Sequence, residues 1–359
     1  MKKNFLKNVF FACVSLLIFS AFFSACKNSE NEVTPADTSQ LTALIDSCQT
    51  LINSATTDDY PQDAITTFSN VVNAARSAVS SSTITQTAVD NLIVQLRQAR
   101  EVFLASAYDA IPSSALILGL SFDENISNNQ FTTEGKGWTA VLKKGPSEIF
   151  GTATNFPSVE NNGKVGKAMY FSNGSHLEIS DYTANDLLGS KLSISVWVNP
   201  DSTRAGNYII SYNYWNSWKF QLQEQNKPFF TIHTNADGWV DADNQADFSA
   251  PNKTWTHLVV TLDMDTKVLI FYVNGVSTME WNATTKPGLT GTGPWQYKNI
   301  LPLIIGACTT YEEAIAEWNW SWAQTPQAWD NFVGLLDELK VYNIALTAGQ
   351  VARLYEQEK

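Results

Sequence analysis

The sequence predicts an all-β antiparallel sandwich of the jelly-roll kind, preceded by a small three-helix bundle. Two observations carry that expectation. Residues 38–108 place apolar side chains at 3–4 spacing in three runs, the signature of amphipathic helices. From Leu116 onward the period changes to short alternating or apolar runs separated by Gly, Asn, Asp and Pro, with no helical pattern between them. Many short strands without intervening helices favour antiparallel sheets over a parallel α/β fold.

The elements follow in chain order. Lys2, Lys3 and Lys7 precede an apolar run from Val9 to Phe23, and then comes Phe23-Ser24-Ala25-Cys26. A basic start, a short apolar core and small residues at a boundary make a secretory signal over 1–25. The apolar run falls short of the roughly 20 residues that a spanning helix needs. Cysteine directly after Ser-Ala resembles a bacterial lipobox, which implies acylation of Cys26 and a membrane anchor. Residues 26–37 are polar and aperiodic and read as a tether. The cluster Lys27, Glu30 and Glu32 loosely resembles the acidic export signals of surface lipoproteins in Gram-negative bacteria. The expected location is therefore the outer membrane, surface-exposed or facing the periplasm.

Within 38–108 the first helix carries Leu41, Leu44, Ile45, Cys48, Leu51 and Ile52. Pro61 opens a second with Ile65, Phe68, Val71, Val72 and Ala75, and the third holds Val89, Leu92, Ile93, Leu96 and Phe103. Tyr60-Pro61 and Thr85-Gln86-Thr87-Ala88-Val89-Asp90 resemble the small FIVAR-type bundles found beside carbohydrate-active modules, which implies a spacer. The expected sandwich spans 115–359. Its strands are Leu116–Phe122, Ala168–Phe171, Leu192–Val198, Tyr208–Tyr212, Phe229–His233, His257–Leu262, Val268–Val273, Leu303–Gly306 and Leu335–Val341. Asn173-Gly174 and Asn274-Gly275 supply turns, and a final helix runs Thr347 to Glu356 with Val351, Leu354 and Tyr355 inward.

Four of these stretches resemble the laminin-G-like, concanavalin A-like lectin/glucanase family. They are Gly163–Phe171 with Leu177-Glu178-Ile179, the strand Leu192–Pro200, the hairpin Trp255–Thr261 with Ile270–Gly275, and Gly334–Asn343 followed by Ala345-Leu346. The resemblance runs from about 115 to 356 in the family's order. It implies a concanavalin A-like jelly roll, which hosts both lectins and glycoside hydrolases. It also implies a structural calcium between an early loop and the last strand, here Asp123 and Asp337, with Glu124 and Asn125 as further oxygen donors.

Charge and side-chain chemistry then narrow the function. The whole chain carries a net charge of −12, and cleavage after Ala25 removes three lysines and no acid, leaving −15. Such a surface repels nucleic acid, so no nucleic-acid partner is expected. The Glu-x-Asp-x-x-Glu strand motif of the family's glucanases is absent. Glu313, Glu317 and Asp330 would form an opposed carboxyl pair only through loop geometry. His176, His233 and His257 lack metal-ligand spacing and read as packed strand residues. Cys48 and Cys308 fall in different domains and read as small buried hydrophobes. The acidic stretch Asp237 to Asp247 lacks the glycine and distal glutamate of a calcium loop and reads as a solvated connector.

The 12 tryptophans are the most informative feature. Trp197 and Trp255 suit core or half-core places, whereas Trp215, Trp218, Trp239 and Trp295 fall in apparent loops. Tyr311 to Asp330 holds Trp318, Trp320, Trp322 and Trp329, and the first three alternate, so an extended backbone would put them on one side. Indoles beside Asn, Gln and carboxylates suit pyranose rings. The expected carbohydrate contacts are thus Trp215, Trp218, Trp239, Trp318, Trp320, Trp322 and Trp329. The opposite expectation for this insertion is that it folds down as a lid or packs on the helical bundle. The function read from the sequence is a membrane-anchored lipoprotein that binds a polysaccharide or glycoconjugate without catalysis. A protein-interaction or adhesin module is the alternative, and a glycoside hydrolase the third.

Overall fold

The computed structural model describes residues 35–57, 59–234, 238–244, 248–290, 301–319 and 323–359. Cys26 and most of the expected tether lie outside them, as do Trp295, Trp320 and Trp322.

Three helices, Ser39–Ser54, Gln62–Val79 and Gln86–Leu104, occupy the stretch where the 3–4 spacing predicts them. Their stripes meet in a core of Leu41, Ile45, Cys48, Phe68, Val72, Leu96 and Phe103. Phe103 stacks between Tyr60 and Phe68 with centroid distances of 4.3 and 4.7 Å. The Thr85 side chain accepts from the Ala88 N–H and caps the third helix.

The remainder forms two antiparallel sheets packed face to face. The nine-stranded sheet has the central order Thr256–Asp263, Lys191–Pro200, Gly334–Tyr342, Leu116–Leu120. The eight-stranded sheet runs Gly238–Asp243, Lys227–Thr234, Trp218–Gln223, Asn207–Tyr212, Leu303–Ile305, His176–Ile179, Thr139–Lys143, Gln130–Thr132. Inward side chains of both, among them Ile194, Val196, Ile210, Phe220, Phe230 and Leu336, make one core. Asn274 and Gly275, at φ of 48° and 78°, are the left-handed pair that a tight hairpin turn needs.

Three expectations change here. Trp218 stands in a strand, Trp218–Gln223, and not in a loop; its alternation of Trp, Phe and Leu with Lys, Gln and Gln is that of a half-buried strand. The supposed acidic connector contains an edge strand, Gly238–Asp243, in which Val240 and Ala242 point to the core. Tyr311–Trp318 is a helix, capped by Thr310 accepting from the Glu313 N–H. Extended alternation therefore does not reach Trp318.

The last helix, Ala348–Glu358, packs Val351 and Leu354 on the outer face of the nine-stranded sheet against Val259, Tyr272 and Tyr342. The same helix holds the segment arriving from the bundle. Thr347 Oγ1 donates to Asp109 Oδ2 at 2.9 Å, Gln350 Nε2 donates to the Ala110 carbonyl at 2.9 Å, and Arg353 lies 3.4 Å from Asp59.

Candidate functional site

Residues paired directly across strands share a face, and this locates the polar surface of the eight-stranded sheet. Ile304, Ser211, Lys219, Thr231 and Asp241 stand in one row, while Tyr208, Gln221, Phe229 and Asp243 stand in the next. This is the face turned away from the sandwich core. Most of it is nevertheless buried, because the segment around the Tyr311–Trp318 helix folds down on it. Tyr208, Tyr214, Cys308, Ala314, Ala323 and Trp329 form a separate apolar cluster beneath that cover. The lid expectation for the insertion thus describes its described residues.

Covering a polar row has an electrostatic cost. Lys219 is 1 % exposed, with its ammonium in contact with Gln221 Oε1 and 4.9 Å from the rings of both Tyr208 and Phe229. Burial pushes its pKa down to about 7, against the pull of Asp241 and Asp330. Burial likewise pushes the Asp330 carboxyl up to about 6, opposed by Lys219 and Arg204. Asp330 sits so close to the backbone that a Cβ on Gly206 would lie 2.0 Å from Oδ1, so any side chain there would displace the carboxylate.

At the free edge the face is open. Trp239 is 53 % exposed and pairs across the strands with His233. The two rings stack 4.9 Å apart at 24°, which leaves the far face of the indole to solvent. Asp241, two residues along on the same face, accepts from Thr231 Oγ1 at 2.6 Å. A flat apolar ring next to a carboxylate held by a hydroxyl is therefore presented outward.

The other tryptophans divide. Trp218 is fully buried and donates from Nε1 to the Leu187 carbonyl at 3.0 Å, and Trp329 is 2 % exposed with its ring 6.1 Å from Tyr311. Both are packing residues and offer no ring face to a ligand, which corrects the expectation for them. Trp215 falls in the turn Tyr214–Asn216, and Trp318 ends its helix.

The two aspartates expected at a calcium site converge on one loop. Asp337 Oδ2 accepts the Lys164 and Val165 N–H groups at 2.7 and 2.9 Å, and Oδ1 accepts that of Glu338 at 2.8 Å. Asp123 Oδ1 accepts the Lys167 N–H at 2.9 Å. Burial raises the Asp337 pKa to about 7 despite those three donors. Those three N–H groups hold the carboxylate against the loop. Beside them, Glu124 Oε2 is buried with no hydrogen-bond partner. A hard cation between Asp123 and Asp337 would find Glu124 as a further oxygen donor. Among the described residues no group of three His, Cys, Asp or Glu is arranged to hold a metal.

With this geometry in view, residues 171–300 match the family model of the concanavalin A-like lectin/glucanases superfamily. The sandwich has a concanavalin A-like fold. Among solved structures, the concanavalin A-like domain resembles domain 4 of an extracellular arabinanase from Geobacillus stearothermophilus, solved with arabinotriose. The match has 18% identity and a TM-score of 0.40, covering 67% of this chain and 98% of that one. The binding domain of Paraclostridial Mosquitocidal Protein 1 matches at 14% identity and a TM-score of 0.45, covering 68% of this chain and 52% of that one. The binding domain of Botulinum Neurotoxin DC in complex with SialylT matches at 13% and 0.45, covering 69% and 52%. This chain spans about half the length of the two toxin domains. A comparison with curated proteins finds no match.

Proposed function

We propose that the concanavalin A-like domain binds a polysaccharide or glycoconjugate without catalysis, with Trp239 as a stacking platform. The observation that carries this is the half-exposed indole backed by His233 beside the Asp241 carboxylate. The indole face suits the apolar face of a pyranose, and the carboxylate suits its hydroxyl rim. Trp215, Trp318, Trp320 and Trp322 are proposed as further contacts and belong in the same mutant set.

Trp239→Ala is the decisive variant, measured by affinity electrophoresis in gels containing a panel of polysaccharides. If a ring stack contributes about 0.5–1.5 kcal/mol, affinity falls roughly 2- to 12-fold. The melting temperature should change little, since the ring is exposed. Unchanged retention with every glycan that the wild type binds would reject the platform.

Three further parts of this reading are proposals. Cys26 carries a lipid that anchors the chain at the outer membrane, and the three-helix region acts as a FIVAR-type spacer. Among the described residues no helix is long and apolar enough to cross a membrane, and the anchor does not depend on one. Fatty-acid probe labelling should be lost in Cys26→Ser, and equal labelling in both would remove the anchor. Calcium bound between Asp123 and Asp337, with Glu124 as a further oxygen donor, is the third part. A chelator should then lower the melting temperature, and an unchanged melt would count against the ion.

A further inference from the structure

A second polar recess lies apart from Trp239. It is a cleft of about 600 Å³ between the Phe150 and Asn173 turns on one side and Arg204, Gln327 and Asp330 on the other. That volume falls in the range of small-molecule sites. We propose that this cleft is a second saccharide subsite, taking one end or branch of a neutral glycan, with Asp330 as the acceptor for a pair of adjacent hydroxyls. The proposal rests on the glycan reading of the domain.

The cleft's construction points to this ligand class. Its walls combine the Phe150 ring with polar groups of both kinds: a guanidinium, a carboxylate and a side-chain amide. Arg204 is fixed, donating to Asn331 Oδ1 at 3.3 Å and to the Gln327 and Trp329 carbonyls at 3.4 and 3.1 Å. Those bonds tie the strap 327–331 to the strand entry at Gly206 and leave part of the guanidinium fork uncommitted. Asp330 is placed by the missing side chain of Gly206, and among the described residues no hydrogen bond or ion pair occupies its carboxylate oxygens, on which Lys219 and Arg204 act only through their charge. A carboxylate with free acceptor capacity recognises hydroxyl donors. An acidic sugar would bring its own charge against Asp330, on a chain already at −12.

The place of the cleft matters as well. Gly206 leads into the strand Asn207–Tyr212, which stands three strands from the edge strand bearing Trp239. At about 4.8 Å per strand, the two sites are separated by roughly 14 Å or more across the sheet. One sugar ring cannot touch both, whereas a polymer can, and joint engagement raises its apparent affinity over that of a short oligomer.

The test is calorimetric titration with a panel of neutral trisaccharides (arabino-, xylo-, cello- and mannotriose), an oligogalacturonate of equal length and the matching polymers. The proteins are wild type, Trp239→Ala, Asp330→Asn, the double variant and Gln327→Ala. The expected result is trisaccharide binding that survives in Trp239→Ala and falls tenfold or more when Asp330→Asn is added. Polymer affinity should drop in each single variant. If Trp239→Ala weakens binding and neither Asp330→Asn nor Gln327→Ala does, the cleft is overturned and the platform stands. If only the cleft variants weaken binding, the platform falls and the cleft stands. A wild type that binds no glycan removes both, and preference for the oligogalacturonate overturns the neutral class. Gln327 lies on the exposed rim, so Gln327→Ala decides the matter should Asp330→Asn fail to fold.

Discussion

Lys340→Met is expected to destabilise the sandwich by about 3–5 kcal/mol, the usual result of removing one partner from a buried ion pair. Its ammonium sits 2.5 Å from Glu338 Oε2 and 2.5 Å from Glu358 Oε1, beneath the C-terminal helix. Glu358 Oε2 also accepts from Trp197 Nε1 at 2.8 Å, so the cluster fastens the helix to the nine-stranded sheet. Burial already raises the Glu358 pKa, with Lys340 opposing that rise. Without the cation the folded-state pKa climbs further above the unfolded value. A carboxyl raised in this way favours the fold below its unfolded pKa and loses that contribution as pH rises through the folded one. The gap between variant and wild type should therefore be wide at pH 8 and narrow toward pH 4, as read from urea melts. A penalty near zero at both pH values would show that the cluster does not clamp the helix.

Trp329→Ala should cost a similar amount, about 3–5 kcal/mol, as large core aromatics do. Its ring fills the cluster under the covering segment, against Tyr311 and beside Tyr208, Tyr214 and Cys308. The loss has a chemical readout beyond stability. The Cys308 thiol is fully buried and burial drives its pKa well up, so it is inert toward disulfide reagents in the native state. Opening the cover admits reagent and relieves the desolvation of Lys219. Native-state thiol labelling should thus speed up at Cys308 and not at Cys48, which is buried in the helical bundle. Equal protection of Cys308 in the variant would mean that Trp329 does not hold the cover in place.

How far the sequence reveals these features depends on whether their cause is local. Strand runs such as Ala168–Phe171 and Val268–Val273 carry their own periodicity, and the structure reproduces them. The helix Tyr311–Trp318 also had a local sign, Thr310 three residues before Glu313, which the row of tryptophans obscures. Trp218–Gln223 alternates cleanly, yet its aromatic start reads as loop when tryptophans are weighed as ligand contacts. The burial of Lys219 and Asp330 has no local cause at all. It arises from residues about 100 positions away folding over the sheet. Asp123 and Asp337 were legible as a pair, whereas the N–H groups they meet belong to the backbone and leave no mark in side-chain identity.

The strand Gly334–Tyr342 lies between Leu116–Leu120 and Lys191–Pro200, and the helix behind it grips the segment that leaves the bundle. Order of synthesis gives this arrangement a consequence. The bundle's contacts are local, and it can fold as soon as it emerges. The nine-stranded sheet has a vacancy at its centre until Gly334–Tyr342 is made, with its inner strands exposing unpaired edges meanwhile. Synthesis of Gly334–Glu358 thus closes the sheet and seats the helix that grips the segment from the bundle in one event. The strand made after its neighbours is the one that joins them.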